Sequence, residues 1–168
     1  MEGSNNTLTG LSSETFKRAV GFTNDIKTSK FEIYGTVPKL TLEGNYKASG
    51  KFLGSEIKGD GKYKVVIEDV TGNIKFKPTI TKVEDGKTFF KVNKIKILLD
   101  PKRAQMKFTN LFNGNEVVGD AINQLINENG LQMWNELAPS ALKSAEIIML
   151  DVINRAISRY AFEDFYLP

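Results

Sequence analysis

Residues 115–126 decide the fold class; they read NEVVGDAINQLI. Their apolar residues recur at steps of three and four positions, which places them on one face of an α-helix. These residues are Val117, Val118, Ala121, Ile122, Leu125 and Ile126. The preceding Asn113-Gly114-Asn115 predicts the start of this helix, because an Asn side chain can cap its first free N–H groups. Asn129-Gly130 predicts an interruption.

A second helical segment follows this interruption. Ala138-Pro139 predicts a further break, and Ser140 is positioned to cap the helix after it. That helix carries a wide apolar stripe, formed by Ala141, Leu142, Ala145, Ile148, Met149, Val152, Ile153, Ala156 and Ile157. A stripe this wide favours a helix that is surrounded by sheet over most of its girth.

The chain before residue 114 has the rhythm of β-strands. Apolar and polar residues alternate with period two in residues 31–34, 39–43, 62–65, 74–77, 92–97 and 106–109. This alternation predicts an antiparallel sheet with one apolar face and one lysine-bearing face. Typical turn residues separate the runs, at Gly44-Asn45, Gly59-Asp60-Gly61, Asp85-Gly86 and Asp100-Pro101.

Composition excludes much known chemistry. The 168 residues contain no Cys and no His, which excludes thiolate zinc sites, disulfides, cysteine nucleophiles and His-dependent catalysis. The formal net charge of +3 hides an asymmetry, since residues 1–113 sum to +8 and residues 114–168 to −5. We therefore expect a binding protein without cofactor or metal rather than an enzyme. No run of apolar residues is long enough to span a bilayer.

These patterns predict a single α+β domain over residues 1–168, sheet-rich over 8–113 and helix-rich over 114–160. Apolar strand faces and a wide apolar helix must bury each other. The simplest arrangement is a long helix wrapped by a strongly curved antiparallel sheet. Such a core can be solid, or it can leave a tunnel between helix and sheet.

Several ordered segments resemble the insect takeout and juvenile hormone-binding protein family. Residues 111–123 and 125–129 resemble its "LFNGDKELGDAINxFLNEN" signature, and residues 31–46 resemble its "P-x-L-x-L-x-G-x-Y" strand pair. Further similar segments are residues 50–54, 59–63, 69–72 and the C-terminal 161–168. The resemblance implies a takeout-like, TULIP-type super-roll. It also implies a secreted, extracellular, non-enzymatic carrier of a hydrophobic ligand, such as a juvenile hormone-like terpenoid, a fatty acid or a related lipid.

The resemblance differs at the front of the chain. Family members usually begin with a signal peptide and a segment that contains a helix and a cysteine pair, whereas this chain opens Met1-Glu2-Gly3-Ser4. We expect the usual cysteine-containing segment to be missing here. In the family that segment helps to close one end of the tunnel, so an open apolar end would instead favour an interaction module that docks a protein or a membrane. The expected state is a monomer or weak dimer without nucleic acid.

The candidate ligand-binding residues are aromatic or long aliphatic side chains. They are Tyr46, Phe52, Tyr63, Phe76, Phe90, Phe108, Leu125, Trp134 and Met149. Ordinary core packing is the alternative for each of them taken singly. Tyr46 and Tyr63 could also orient a polar head group, because each has one hydroxyl on an apolar ring. Asn5, in Asn5-Asn6-Thr7, is a candidate glycosylation acceptor if the chain is secreted.

Overall fold

The structure is a computed structural model that describes residues 2–21, 23, 25–52 and 55–165, and at 2, 51, 52, 55–57 and 113 only the backbone. Six strands and two α-helices follow one another within these residues. The strands are β1 (Glu2–Thr9), β2 (Thr15–Val20), β3 (Phe31–Phe52), β4 (Ser55–Glu84), β5 (Lys87–Asp100) and β6 (Arg103–Phe108). The helices are α1 (Glu116–Glu128) and α2 (Gly130–Ile157), with short 3₁₀ turns at Leu11–Ser13, Phe112–Gly114 and Phe162–Phe165.

The strands form one six-stranded sheet in which β3 and β4 are the longest members. The sheet order is β1-β3-β4-β5, with β2 also paired to β3 and β6 to β4. The pairings of β1 and β2 with β3, and of β6 with β4, are antiparallel. All six predicted alternating runs lie in these strands, except that Thr109 follows the end of β6.

The chain divides into two compact units. The first unit comprises Met1–Glu14, Val37–Val70 and Asp100–Leu137, and the second comprises Thr15–Thr36, Thr71–Leu99 and Ala138–Pro168. Strands β3 and β4 and helix α2 therefore contribute residues to both units, and β5 gives its last residue, Asp100, to the first. The single domain stays a prediction.

Two of the predicted turns are confirmed and two are wrong. Asp85 and Gly86, with φ of 50° and 76°, form the turn between β4 and β5, and β5 ends at Asp100. Gly44-Asn45 lies inside β3, however, and Gly59-Asp60-Gly61 lies inside β4. Glycine at these positions lets another part of the chain approach the strand closely. A Cβ at Gly59, for example, would stand 2.5 Å from the Tyr46 hydroxyl.

The helical part also departs from prediction at one point. Asn115 caps α1 as expected, with its side chain accepting from the Val118 N–H at 3.2 Å, and α1 ends before Gly130. The break predicted at Ala138-Pro139 is wrong, since α2 runs through Pro139 without a new start at Ser140. Proline has no N–H donor, so α2 lacks one backbone hydrogen bond at Pro139 and nevertheless continues to Ile157.

The wide apolar stripe of α2 is only partly covered. Ile148 and Val152 are 67% and 51% exposed, and Ala156 is exposed as well. These three residues follow one another at four-residue steps, so they share one side of the helix. One side of the predicted stripe is therefore exposed over residues 148–156. The remaining members of the stripe are half-buried.

Candidate ligand-binding site

The interior of the first unit is built around three aromatic rings. Tyr46, Tyr63 and Phe108 come from β3, β4 and β6, and all three are buried. The Phe108 ring meets the Tyr46 ring edge-on at a centroid distance of 5.2 Å and stacks on the Tyr63 ring at 6.4 Å. Three of the predicted site residues thus form one contiguous cluster.

Both tyrosine hydroxyls of this cluster have protein partners. The Tyr46 hydroxyl donates to the Thr109 carbonyl at 2.8 Å, and the Tyr63 hydroxyl donates to Asn6 Oδ1 at 2.9 Å. Burial raises the pKa of both phenols, with a smaller contribution from Asp60 at Tyr46, so both are neutral at physiological pH. With its proton committed, each phenol oxygen has acceptor capacity to offer a ligand.

The helical site residues of the first unit are less uniform. Trp134 is buried, together with its neighbour Met133, whereas Leu125 is half-buried. Ile126 is buried more deeply than any of these, at 1% exposed, and was not among the predicted site residues. Its signal was already present, because Ile126 belongs to the same apolar stripe as Leu125.

The second unit has its own aromatic interior. Ile26, Phe31, Phe90 and Phe162 form a buried cluster, with Phe76 and Ile157 packed against it. The rings of Phe31 and Phe76 lie 5.1 Å apart between centroids, and those of Phe90 and Phe162 lie 5.7 Å apart. Of the predicted residues, Phe76 and Phe90 are brought together here, and Met149 is half-buried on α2. The Phe52 side chain lies outside the described residues.

Asparagines of the helices bind the strand edges, a role that sequence reasoning missed. In the first unit the Asn127 amide is paired with Met106 of β6, whose N–H donates to Oδ1 at 2.8 Å and whose carbonyl accepts from Nδ2 at 2.7 Å. The same pair of bonds, at 2.8 Å each, joins Asn123 to Phe108. In the second unit Asn154 binds Val92 of β5 in the same way, also at 2.8 Å.

These asparagine bridges, at Asn123, Asn127 and Asn154, satisfy backbone groups that an edge strand would otherwise leave free. Carboxylates also accept hydrogen bonds from backbone N–H groups of β5. The Ile97 N–H donates to Glu146 at 3.0 Å, and the Thr88 N–H donates to Glu163 at 2.9 Å. The Ile97 bond is the largest cause that lowers the pKa of Glu146, and Lys96 adds to it.

Two clefts are described at the surface of the first unit. The smaller, of about 290 Å³, lies between β6 and the start of α1 and includes Lys107, Glu116 and Asp120. The larger, of about 440 Å³, lies over β1, β3, β4 and β6 and is lined mainly by polar side chains. Asn5, the candidate glycosylation acceptor, borders the larger cleft from an exposed bulge of β1. Its glycosylation stays a prediction.

Among the residues that the structure describes, no three acidic side chains are grouped so that they could hold a metal ion. Nor is any described helix both long and apolar enough to cross a membrane. Each unit has an interior of apolar, aromatic side chains, and the first unit also contains the neutral phenol oxygens of two tyrosines.

These features define the class, an α+β protein with aromatic interiors that suit hydrophobic molecules. Within this class the chain belongs to the haemolymph juvenile hormone binding protein (JHBP) family, whose sequence profile matches residues 1–167. The predicted family is thereby confirmed.

A solved structure agrees with this assignment at the level of the fold. The chain is similar to Takeout 1 of Epiphyas postvittana, with a TM-score of 0.83 and 24% identity over 95% of this chain and 72% of the other. This likeness confirms the predicted α+β fold class, in which an antiparallel sheet is combined with a long helix. Comparison with curated proteins gives no match.

Proposed function

We propose that this protein binds a small hydrophobic ligand and carries it without chemical change. The observation that carries the proposal is membership of the JHBP family over residues 1–167, since the family's description names juvenile hormone binding. A juvenile hormone-like terpenoid, a fatty acid or a related lipid is the proposed ligand class. The family is named after haemolymph, an extracellular fluid, which supports an extracellular setting.

The aromatic clusters give the proposal a physical basis. Burial of apolar surface contributes about 25 cal/mol for each Å² removed from water, so an alkyl or terpenoid chain beside these rings needs few polar contacts. The first cluster consists of Tyr46, Tyr63 and Phe108, and the second is built around Phe31 and Phe90. The phenol oxygens of Tyr46 and Tyr63 are the proposed acceptors for a lipid that carries a hydroxyl group, because both phenol protons are already donated to protein partners and a carboxylate has no proton to give.

The asparagine bridges are consistent with a role for these interiors in binding. Hydrogen bonds from Asn123, Asn127 and Asn154 attach the helices to strand edges through backbone atoms. Attachment of this kind depends less on a tightly filled apolar contact between helix and sheet than ordinary helix packing does. This attachment is useful in a carrier, because side chains of the interior can move to admit a ligand while the helix stays bound to the strand.

The test begins with the purified protein and its Trp134 fluorescence. Palmitate and a juvenile hormone are titrated separately, and melting is followed in parallel. A ligand that binds only the folded protein at 100 times its Kd stabilises it by about 2.7 kcal/mol, which for a chain of this size raises the Tm by roughly 5–10 °C. Mass spectrometry of the organic extract of the protein identifies any lipid that it already holds.

Two Phe→Ala substitutions and a matched control locate the ligand. Phe108→Ala and Phe90→Ala each truncate one aromatic cluster, while Phe16→Ala removes a ring that is 62% exposed. We expect weaker binding in at least one cluster variant and unchanged binding in the control. An unchanged Tm with both ligands, together with an extract free of lipid, would contradict the proposed function.

A further inference from the structure

Three lysines share the larger cleft of the first unit, which we call the lysine cleft. Lys62 and Lys64 lie on β4 and Lys107 lies on β6, and all three are exposed. Lys64 and Lys107 are direct cross-strand partners in the β4–β6 register. Like charges in this position repel each other and destabilise the strand pair, so the arrangement favours an anion that lies between them.

Few carboxylates of the protein offset this charge. Lys64 is paired with Glu43 at 2.7 Å. In the part of the chain that the structure describes, no carboxylate forms an ion pair with Lys62 or Lys107, although Lys107 also borders the cleft that contains Glu116 and Asp120. Three ammonium groups and one carboxylate leave the lysine cleft with a net charge of +2.

The rest of the lining suits an anion with several oxygens. Asn5, Thr7 and Asn45 contribute neutral amide and hydroxyl groups that can donate hydrogen bonds. The bulge in β1 between Ser4 and Thr7 brings Asn5 to the cleft, with a φ of 51°. The oxygens of a phosphate group can accept hydrogen bonds from lysine ammonium groups and amide donors that lie close together.

The same cleft is poorly built for a small free anion. Its strand backbone is occupied, since the Lys62 N–H donates to Thr109 Oγ1 at 2.9 Å and the Lys62 carbonyl accepts from the Thr109 N–H at 2.9 Å. The polar side chains that are left are exposed, except for the half-buried Asn45, and in water a single ion pair with an exposed lysine is weak. The surface of an anionic membrane, by contrast, attracts several lysines at the same time, and each lysine then strengthens binding roughly fivefold.

We propose that the lysine cleft binds the phosphate head groups of an anionic phospholipid bilayer. The first unit would thereby dock on a membrane surface. This interaction goes beyond the proposed carriage of a hydrophobic ligand and does not depend on it, because the contacts are made by outward-facing lysines and need no ligand inside. The two ideas can therefore fail separately.

Vesicle flotation tests the docking. The full chain is mixed with phosphatidylcholine vesicles that contain or lack phosphatidylserine, at low and at physiological salt. We expect binding only to the anionic vesicles and weaker binding at the higher salt. The variant K62Q/K64Q/K107Q should bind on the order of 100-fold more weakly, since three lysines each contribute roughly fivefold.

A matched variant separates the cleft from net charge. K17Q/K77Q/K91Q removes three exposed lysines of the second unit and changes the net charge equally. We expect it to keep most of the binding, and E43Q to bind anionic vesicles roughly fivefold more tightly, because it releases Lys64. Should the triple cleft variant melt early, the single changes K62Q and K107Q replace it, each with an expected loss of roughly fivefold.

Three outcomes would overturn the proposal. The first is equal binding to neutral and anionic vesicles, or to neither. The second is an equal loss in the cleft variant and the matched variant, which would assign the effect to net charge alone. The third is binding of inorganic phosphate or heparin without any binding to anionic vesicles, which would assign the cleft to a soluble anion.

Discussion

Removal of the Asn127 amide should loosen the edge of β6. Asn127→Ala deprives the Met106 N–H and carbonyl of their partners, at 2.8 and 2.7 Å, and Met106 is only 2% exposed. Each unsatisfied buried group costs about 1–3 kcal/mol. Asn127 itself is exposed, so water can replace its amide in part and the lower end of that range applies. The higher helix propensity of Ala returns roughly 0.5 kcal/mol.

The net expectation is a loss of about 1.5–2 kcal/mol in the free energy of unfolding. For a chain of this size that lowers the Tm by roughly 3–8 °C. Chemical or thermal unfolding measures the global effect, and amide hydrogen exchange at Met106 measures the local one. Gln124→Ala is the matched control on the same helix, because among the described residues its side chain bonds to the exposed Glu128 alone, at 2.9 Å.

Asn127→Asp sharpens the test through its dependence on pH. The carboxylate can accept from the Met106 N–H, but it cannot donate to the carbonyls of Met106 and Asn123, which the native Nδ2 reaches at 2.7 and 2.8 Å. The Met106 N–H lowers the pKa of the new Asp and the two carbonyls that face it raise it; because two carbonyls oppose one N–H, we expect a folded-state pKa above the unfolded value of about 3.9. Protonation restores a donor, so the deficit is full above the folded pKa and shrinks as pH falls through it.

Two results would refute this reasoning. One is a loss below 0.5 kcal/mol for Asn127→Ala, no larger than that of its Gln124→Ala control. The other is an Asn127→Asp deficit that does not change with pH, which would mean that the lost donor is not its cause.

Three further predictions concern both units. Glu146→Gln should remove part of the acid sensitivity of the second unit. The Ile97 N–H lowers the pKa of Glu146, so the stabilisation by this carboxylate is present above about pH 4.5 and lost as pH falls through the folded pKa. The Tm of the variant and of the native protein is measured between pH 3 and 6, and a constant difference between the two would contradict the prediction. Gly61→Ala should lower the free energy of unfolding by about 1–3 kcal/mol, because its Cβ would collide with the Thr109 carbonyl. Gly50→Ala has open space around its Cβ and should leave the Tm unchanged in the same melting assay. Asn154→Ala should speed amide exchange at Val92 and leave that at Met106 unchanged, and equal acceleration at both amides would show that the bridges of the two units are not separate.

The sequence was most informative where one pattern has one structural meaning. The alternation in residues 62–65 predicts a strand whichever partner it has, and Asn115 predicts a helix cap from local geometry alone. The glycines at 44 and 59 were misjudged because the same residue serves both turns and close approach. What distinguishes the two uses is the Tyr46 hydroxyl beside Gly59, which is a contact between distant parts of the chain.

The candidate site was predictable to the same limited degree. Aromatic residues of apolar parity, such as Tyr46 and Phe90, were expected to be buried and are buried. The two clusters into which they fall depend on strand register, which periodicity does not provide. The asparagine bridges were hidden for a related reason. Asn123 and Asn127 resemble ordinary polar positions of a helix until it is known which strand edge lies opposite them.

The asparagine bridges solve one problem in the same way in each unit, and this connects stability with the proposed function. An edge strand beside a helix needs partners for its N–H and carbonyl groups, and a second strand is the usual provider. An Asn side chain carries the same amide group as a peptide bond, so Asn127 and Asn154 each supply one peptide-like donor and acceptor from a helix. The helix is thereby anchored at fixed backbone positions of β6 and β5. In the proposed carrier, side chains such as Phe108 and Phe90 would then not be the sole attachment of the helix, and their rings could respond to a ligand at a smaller cost in stability.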